Sequence, residues 1–341
     1  RCLMQKKRRI LIFAAAGGVL ITAIIAAVVW IQAKQVRERE EYFLCRTPPA
    51  STLTANVAYA EIDFLGMVTF RTGTRFEDTE IGGLSAITYD GERDVYYVLS
   101  DDRGQADDPR FYTVSVATDG SAVTFEAVTF LLDEAGERFA TGSIDPEGIA
   151  LLEDQLVVSS EGNADIIPPI DPSVRVFTLD GTQTFAYPIP DKFLPNRETQ
   201  SGIEYNKAFE ALTRSPDGQF LYTAVENALL QDRGSNFPAE SYSRVLQFDT
   251  AGQHPLAETV YITNPVVDKG ITADNGLVEL IALDNEGYFL ALERSYALGI
   301  GNTVQLVLTS TVGATNVSGL DALWDAEADE PADWIPMQRT L

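Results

Sequence analysis

Four stretches of the sequence can be superposed, and each ends on an acid: Asp101, Glu161, Glu226 and Glu293. Each opens on a polar residue followed by small or apolar ones: Ser85, Glu147, Glu210 and Glu279. Clustered carboxylates bind hard divalent cations through oxygen, and amides such as Asn163, Asn227 and Asn302 suit the same shell. With a cation in place, such a cluster supports phosphoester hydrolysis. The expected ion is calcium, and its expected ligands are Asp101, Asp102, Glu147, Glu161, Asn163, Glu210, Glu226 and Glu293. The expected catalytic residues are Glu147 and Glu210 with Arg103, Arg294 and Lys207. The three cations would take phosphate charge through charge-assisted hydrogen bonds.

Other chemistries are poorly supplied. His254 is the single histidine, so a multi-histidine zinc or iron site is excluded, and a Ser-His-Asp triad would have to use that residue. Gly83-Leu84-Ser85-Ala86-Ile87 lacks the final glycine of a nucleophile elbow. Acids outnumber bases 50 to 25, giving a formal net charge of -25 that repels nucleic acid.

The elements that must position these acids are short strands. Runs rich in Val, Ile, Phe and Tyr alternate with turns at Asp90-Gly91, Glu153-Asp154, Pro216-Asp217-Gly218 and Asn285-Glu286-Gly287, the pattern of hairpins. A third strand follows each hairpin, at 111–116, 174–178, 245–248 and 304–308, and a fourth follows in most, as at 123–132 and 182–189. Four antiparallel strands recurring about every 60–70 residues mark a propeller blade. The expected fold is therefore all-β, a β-propeller of about five or six four-stranded blades. A sandwich would not repeat the same acid at the same point of every unit. Antiparallel pairing brings the start of each first strand to the end of the second. Ser85 should face Asp101, Glu147 face Glu161, Glu210 face Glu226 and Glu279 face Glu293, pooling acids at one channel mouth. Arg103, Arg110, Arg175, Arg244 and Arg294 are expected beside it. Such acids can also serve purely as pins that accept backbone N–H groups of the next blade.

Upstream, residues 10–32 form an uncharged apolar run long enough to span a bilayer. Lys6, Lys7, Arg8 and Arg9 precede it, so the expectation is a single-pass signal anchor with a cytoplasmic N-terminus (residues 1–9) and the rest periplasmic or extracellular. A cleaved signal peptide, whose apolar region is usually shorter, is the alternative. Residues 33–60 read as a tether and 61–341 as the propeller domain. Cys2 and Cys45 flank the apolar run, and the folded part lacks cysteine, so its stability must come from its core.

The sequence also resembles the esterase-like activity of phytase family of phytase-like domain proteins. The resemblance rests on Gly82-Gly83-Leu84-Ser85, the segment Tyr97 to Arg103, Asp145-Pro146-Glu147-Gly148, Ser160-Glu161-Gly162-Asn163, the segment Asn206 to Leu212, and Glu293-Arg294. It implies a propeller, export and hydrolysis of a phosphoester or ester. Members usually continue into a further Glu-Gly strand and an Asp-rich strand, so the last blade is expected to be truncated here. Three functions stay open: a calcium-dependent phosphoester hydrolase, a lactone or carboxylic ester hydrolase at the same mouth, and a propeller that binds a ligand or partner without catalysis. The expected partners are the membrane, through the N-terminal helix, and a phosphorylated or ester small molecule, with no nucleic acid.

Overall fold

A computed structural model of the chain describes residues 64–235, 237–238, 241–266 and 272–340. The four hairpins read from the sequence become four blades, each a four-stranded antiparallel sheet. Blade one is Leu84–Asp90, Val95–Ser100, Arg110–Val116 and Val123–Phe130. Blade two is Pro146–Leu152, Gln155–Ser160, Ser173–Thr178 and Gln183–Tyr187. Blade three is Phe209–Arg214, Phe220–Val225, Tyr242–Asp249 and His254–Ile262. Blade four is Ala273–Ala282, Tyr288–Ala297, Gly301–Ser310 and Gln338–Thr340. The first three blades follow chain order from first to last strand, and so does the fourth.

The expectation of about five or six blades is corrected to four among the described residues. The difference lies in the connections. Residues 311–337 separate the third and fourth strands of blade four, and they hold only a two-stranded ribbon, Trp324–Asp325 with Glu330–Pro331. This excursion packs Val317 and Leu323 against Ala228, Tyr242 and Val260 of blade three and its flanking loop.

Alternating side chains on each strand bury one blade against the next. Leu99 and Phe111 of blade one meet Ile149, Leu156 and Phe177 of blade two. Val157, Val176 and Tyr187 of blade two meet Phe209, Leu221 and Phe248 of blade three. Ala224, Val245 and Tyr261 of blade three meet Leu277, Phe289 and Val307 of blade four. Aromatic pairs bridge two of these seams, with ring centroids 4.9 Å apart for Tyr187 and Phe248 and 4.8 Å for Tyr222 and Phe289. Each fully buried side chain of this size contributes about 1.5–3 kcal/mol of transfer free energy.

Of the described residues, Val266, 272–274 and Ser295–Thr303 belong to a compact unit of their own. Within it Leu298 N–H donates to Thr272 O at 3.0 Å, and Ser295 Oγ donates to Asp274 O at 3.2 Å.

Among the described residues no helix is long and apolar enough to cross a membrane. Their helices are single 3-10 turns, Asp191–Phe193 and Leu230–Asp232. The expected membrane placement, with a cytoplasmic N-terminus and a single span, is corrected accordingly. The apolar run 10–32, the basic residues before it, the tether 33–60 and Cys2 and Cys45 lie outside the described residues.

Candidate functional site

The acids reach their positions through one repeated device. At the open end of each inner hairpin of blades one to three, the residue after the second strand donates its N–H to the residue ahead of the first. Asp101 N–H donates to Gly83 O at 2.7 Å, Glu161 N–H to Asp145 O at 3.1 Å, and Glu226 N–H to Ala208 O at 2.7 Å. One step further in, each first strand is bulged. The register jumps between Leu84 and Ala86, between Pro146 and Ile149, and between Phe209 and Ala211. Ser85, Glu147 and Glu210 are therefore extra residues without a cross-strand partner, not residues facing Asp101, Glu161 and Glu226 as simple pairing predicts. Bulges of this kind re-aim side chains. The N–H left over in blade two is satisfied by Ser159 Oγ, which accepts from Gly148 at 2.9 Å.

The outcome is two overlapping trios. One oxygen from each of Asp145, Glu147 and Glu161 lies within 4.8 Å of the other two, and the same holds for Glu161, Glu210 and Glu226. Glu161 belongs to both. Its Oε1 accepts the N–H of Ala208 at 2.7 Å, while its Oε2 is buried with no hydrogen-bond partner. Asn227, beside Glu226, is buried with both amide atoms likewise lacking one.

Cations reach the two ends of the cluster. Arg103 Nε donates to Asp145 Oδ1 at 2.6 Å, and its Nη1 and Nη2 donate to Tyr205 Oη at 2.6 Å and Asn206 Oδ1 at 2.7 Å. Lys207 Nζ lies 3.0 Å from Glu226 Oε2, and Arg294 Nη2 lies 3.8 Å from Glu226 Oε1. Asp101 lies over the backbone of Gly83, where a Cβ would fall 1.8 Å from its Oδ1, and borders a cleft of about 490 Å³ lined also by Asp102, Arg103 and Tyr205.

Burial dominates the electrostatics. It pushes Asp145 up to about 6, against the pull of Arg103. Burial, then Glu210 and Glu161, holds Glu147 well above the usual carboxyl range. Glu161 is raised well above it by burial and Glu210, with the Ala208 N–H opposing. Glu210 rises to about 7 through burial and Glu226, and Arg294 and Lys207 hold it back. Carboxylates this close in dry surroundings must stay protonated or be countered by positive charge. The donor set is all hard oxygen, and two of its buried oxygens, Asp145 Oδ2 and Glu161 Oε2, have no hydrogen-bond partner, so either trio can hold a metal ion.

Three predicted ligands are spent elsewhere. Asp102 accepts the N–H groups of Gln105, Ala106 and Asp107 and an ion pair from Arg110 at 3.1 Å, closing its own loop. Asn163 Oδ1 accepts Asp165 N–H at 3.0 Å. Glu293, 0% exposed, takes Tyr261 Oη, the N–H and Nδ2 of Asn264, and Nδ2 of Asn275. It is a pin, as is Glu279, whose Oε1 accepts from Leu280 N–H at 2.8 Å and Leu212 N–H at 3.4 Å. Asp101 stands next to the trios without joining either. Three predicted arginines also work inside the structure. Arg110 is tied to Tyr112 Oη and Glu80 O, Arg175 to Ser173 and Gln183, and Arg244 to Asp232 and Glu258. The sequence reading missed Asp145, although it stands in register with Gly83 and Ala208, and missed Tyr205 and Asn206 as holders of Arg103.

A curated relative from Arthroderma benhamiae, described as an uncharacterized secreted protein, is 24% identical over 150 residues. That stretch is 37% of this chain and 29% of the relative, so the chain spans under a third of the relative's length. Among solved structures, the Pseudomonas aeruginosa periplasmic gluconolactonase PpgL aligns at 13% identity over 76% of this chain and 73% of its own, with a TM-score of 0.34. A Dos1 propeller aligns at 8% identity over 76% and 60%, with a TM-score of 0.35. Likeness at that level says nothing of activity. The profile of the family described as "Phytase-like: Esterase-like activity of phytase" matches residues 79–341, which include every blade and both carboxylate trios. The chain belongs to this phytase-like family.

Proposed function

We propose that the chain is a divalent-metal-dependent phosphoester hydrolase that uses calcium, with its reaction centre at the carboxylate trios of blades two and three. The observation that supports this most directly is the buried acidic cluster whose central member, Glu161, keeps an unpartnered oxygen while, among the described residues, cations sit only at the cluster's ends. Asp145, Glu147, Glu161, Glu210 and Glu226 would hold the metal. When bound, a divalent cation supplies Lewis acidity, drawing electron density from a phosphoryl oxygen and making water a better proton donor. Lys207 and Arg294 lie where the cluster meets solvent, their side chains 24% and 46% exposed, and are placed to bind phosphate oxygens. Arg103 acts differently from the phosphate ligand expected of it. All three of its nitrogens are engaged, and it orients Asp145 while the ring of Tyr205 supports it.

The test is hydrolysis of a panel of phosphoesters and lactones by the full chain, with calcium and with chelator. The expected result is phosphate release that calcium sustains and chelator abolishes. Lactone cleavage without phosphate release would move the assignment to an ester hydrolase at the same centre. No turnover of either class would leave a binding propeller.

A further inference from the structure

Asp145 and Glu147 approach Glu161 within blade two, while Glu210 and Glu226 approach it from blade three. Ion pairs reach Asp145 and Glu226; among the described residues none reaches Glu147, Glu161 or Glu210. A single divalent cation in either trio would leave the other trio crowded and only partly countered. Glu161 is 1% exposed, belongs to both trios, and has one oxygen fixed by a backbone N–H and the other without a partner. A carboxylate held by one edge in this way is set to share its charge between neighbours on both sides.

Resting on the reading that the cluster takes divalent cations, we propose that it takes two, one per trio, with Glu161 bridging them. Because one trio is built by blade two alone and the other joins blade two to blade three, the second ion would also fasten the two blades together. Glu161 is thus the one residue whose loss should affect both ions, whereas Glu147 and Glu226 each serve a single trio.

Equilibrium dialysis of the full, chelator-stripped chain against calcium alone counts the ions bound. The expected result is two per chain for the unaltered protein, one for Glu147→Gln, one for Glu226→Gln, and loss of both for Glu161→Gln. Circular dichroism reports whether each variant folds. If Glu161→Gln does not, the counts for the other two variants still decide. One ion per chain in the unaltered protein overturns the bridge, as does retention of two ions by folded Glu161→Gln. One ion with chelator-sensitive hydrolysis would sink the bridge and leave the hydrolase reading standing. Two ions without hydrolysis would do the reverse. No bound ion would sink both.

Discussion

At the scale of single residues, burial and neighbouring acids push the carboxyls of Asp145, Glu147, Glu161 and Glu210 toward their protonated forms when no cation is bound. Asp145, ordinarily near 3.8, titrates at about 6, and Glu210, ordinarily near 4.5, at about 7. Below about pH 3 both are protonated in the folded and the unfolded chain and make no difference to stability. As pH rises, the unfolded chain ionises first, because the folded values are the higher ones, and stability falls until the folded values are passed. Chelator-treated protein should therefore lose about 3 kcal/mol for each of the two groups, about 5–6 kcal/mol together, between about pH 3 and pH 7. Saturating calcium should flatten or reverse that slope, since it binds only the ionised form. Urea midpoints measured across this range, with and without calcium, check both statements. Equal slopes in the two series would show that the ion does not reach these groups. The acids themselves were legible in the sequence because their spacing repeats. The roles of Glu279 and Glu293 were not, since a carboxylate that pins a neighbouring strand and one that faces a site occupy equivalent positions in the repeat. Only their partners, Leu212 and Leu280 for one and Asn264 and Asn275 for the other, tell them apart.

At the scale of elements, the bulges decide the site. Glu147 and Gly148 together stand opposite one residue of the neighbouring strand, and Gly148 lets blade two approach blade three. A Cβ at that position would fall 2.6 Å from Leu212 Cβ, 2.6 Å from Ser159 Oγ and 2.8 Å from Glu210 O. Two of those contacts are on the very strand that carries Glu210. Gly148→Ala should therefore destabilise the fold by about 1–3 kcal/mol, the usual cost of forcing one extra carbon into a packed seam. It should also weaken calcium binding, because relief requires the strand bearing Glu210 to retreat. Denaturation and calcium titration of the same variant separate the two effects; full stability with unchanged affinity would count against this account of the glycine. Strand order and turn positions could be read from alternation and from Asp-Gly signals. The bulges could not, because an extra residue leaves the hydrophobic pattern of a short strand almost unchanged and shows itself only when two strands are paired.

At the scale of the whole molecule, blade three is bound to its surroundings by buried charge as well as by packing. Arg244, 0% exposed, donates to Asp232 at 2.7 and 3.0 Å and to Glu258 at 2.8 Å, and Lys192 lies 3.4 Å from Glu258. Asp232 in turn accepts Leu323 N–H at 2.7 Å, which ties the long excursion of blade four onto blade three. Arg244→Ala would strand two buried acids, so a loss of about 3–5 kcal/mol is expected, read as a lowered urea midpoint. A change within 1 kcal/mol would mean that water or Lys192 takes over. The number of blades was the part of the architecture least legible from sequence, since length divided by repeat cannot reveal how many residues a connection such as 311–337 will absorb. One further line of bonds crosses the seams. Ala208 N–H donates to Glu161, Ala208 O accepts from Glu226 N–H, and Glu226 O accepts from Leu277 N–H at 3.0 Å, so three successive blades share one relay of peptide dipoles. Bonds in series polarise one another, and the relay begins at the carboxylate of Glu161. The deuterium uptake of Ala208, Glu226 and Leu277 should thus rise and fall in concert, and saturating the solution with calcium should slow all three clocks together.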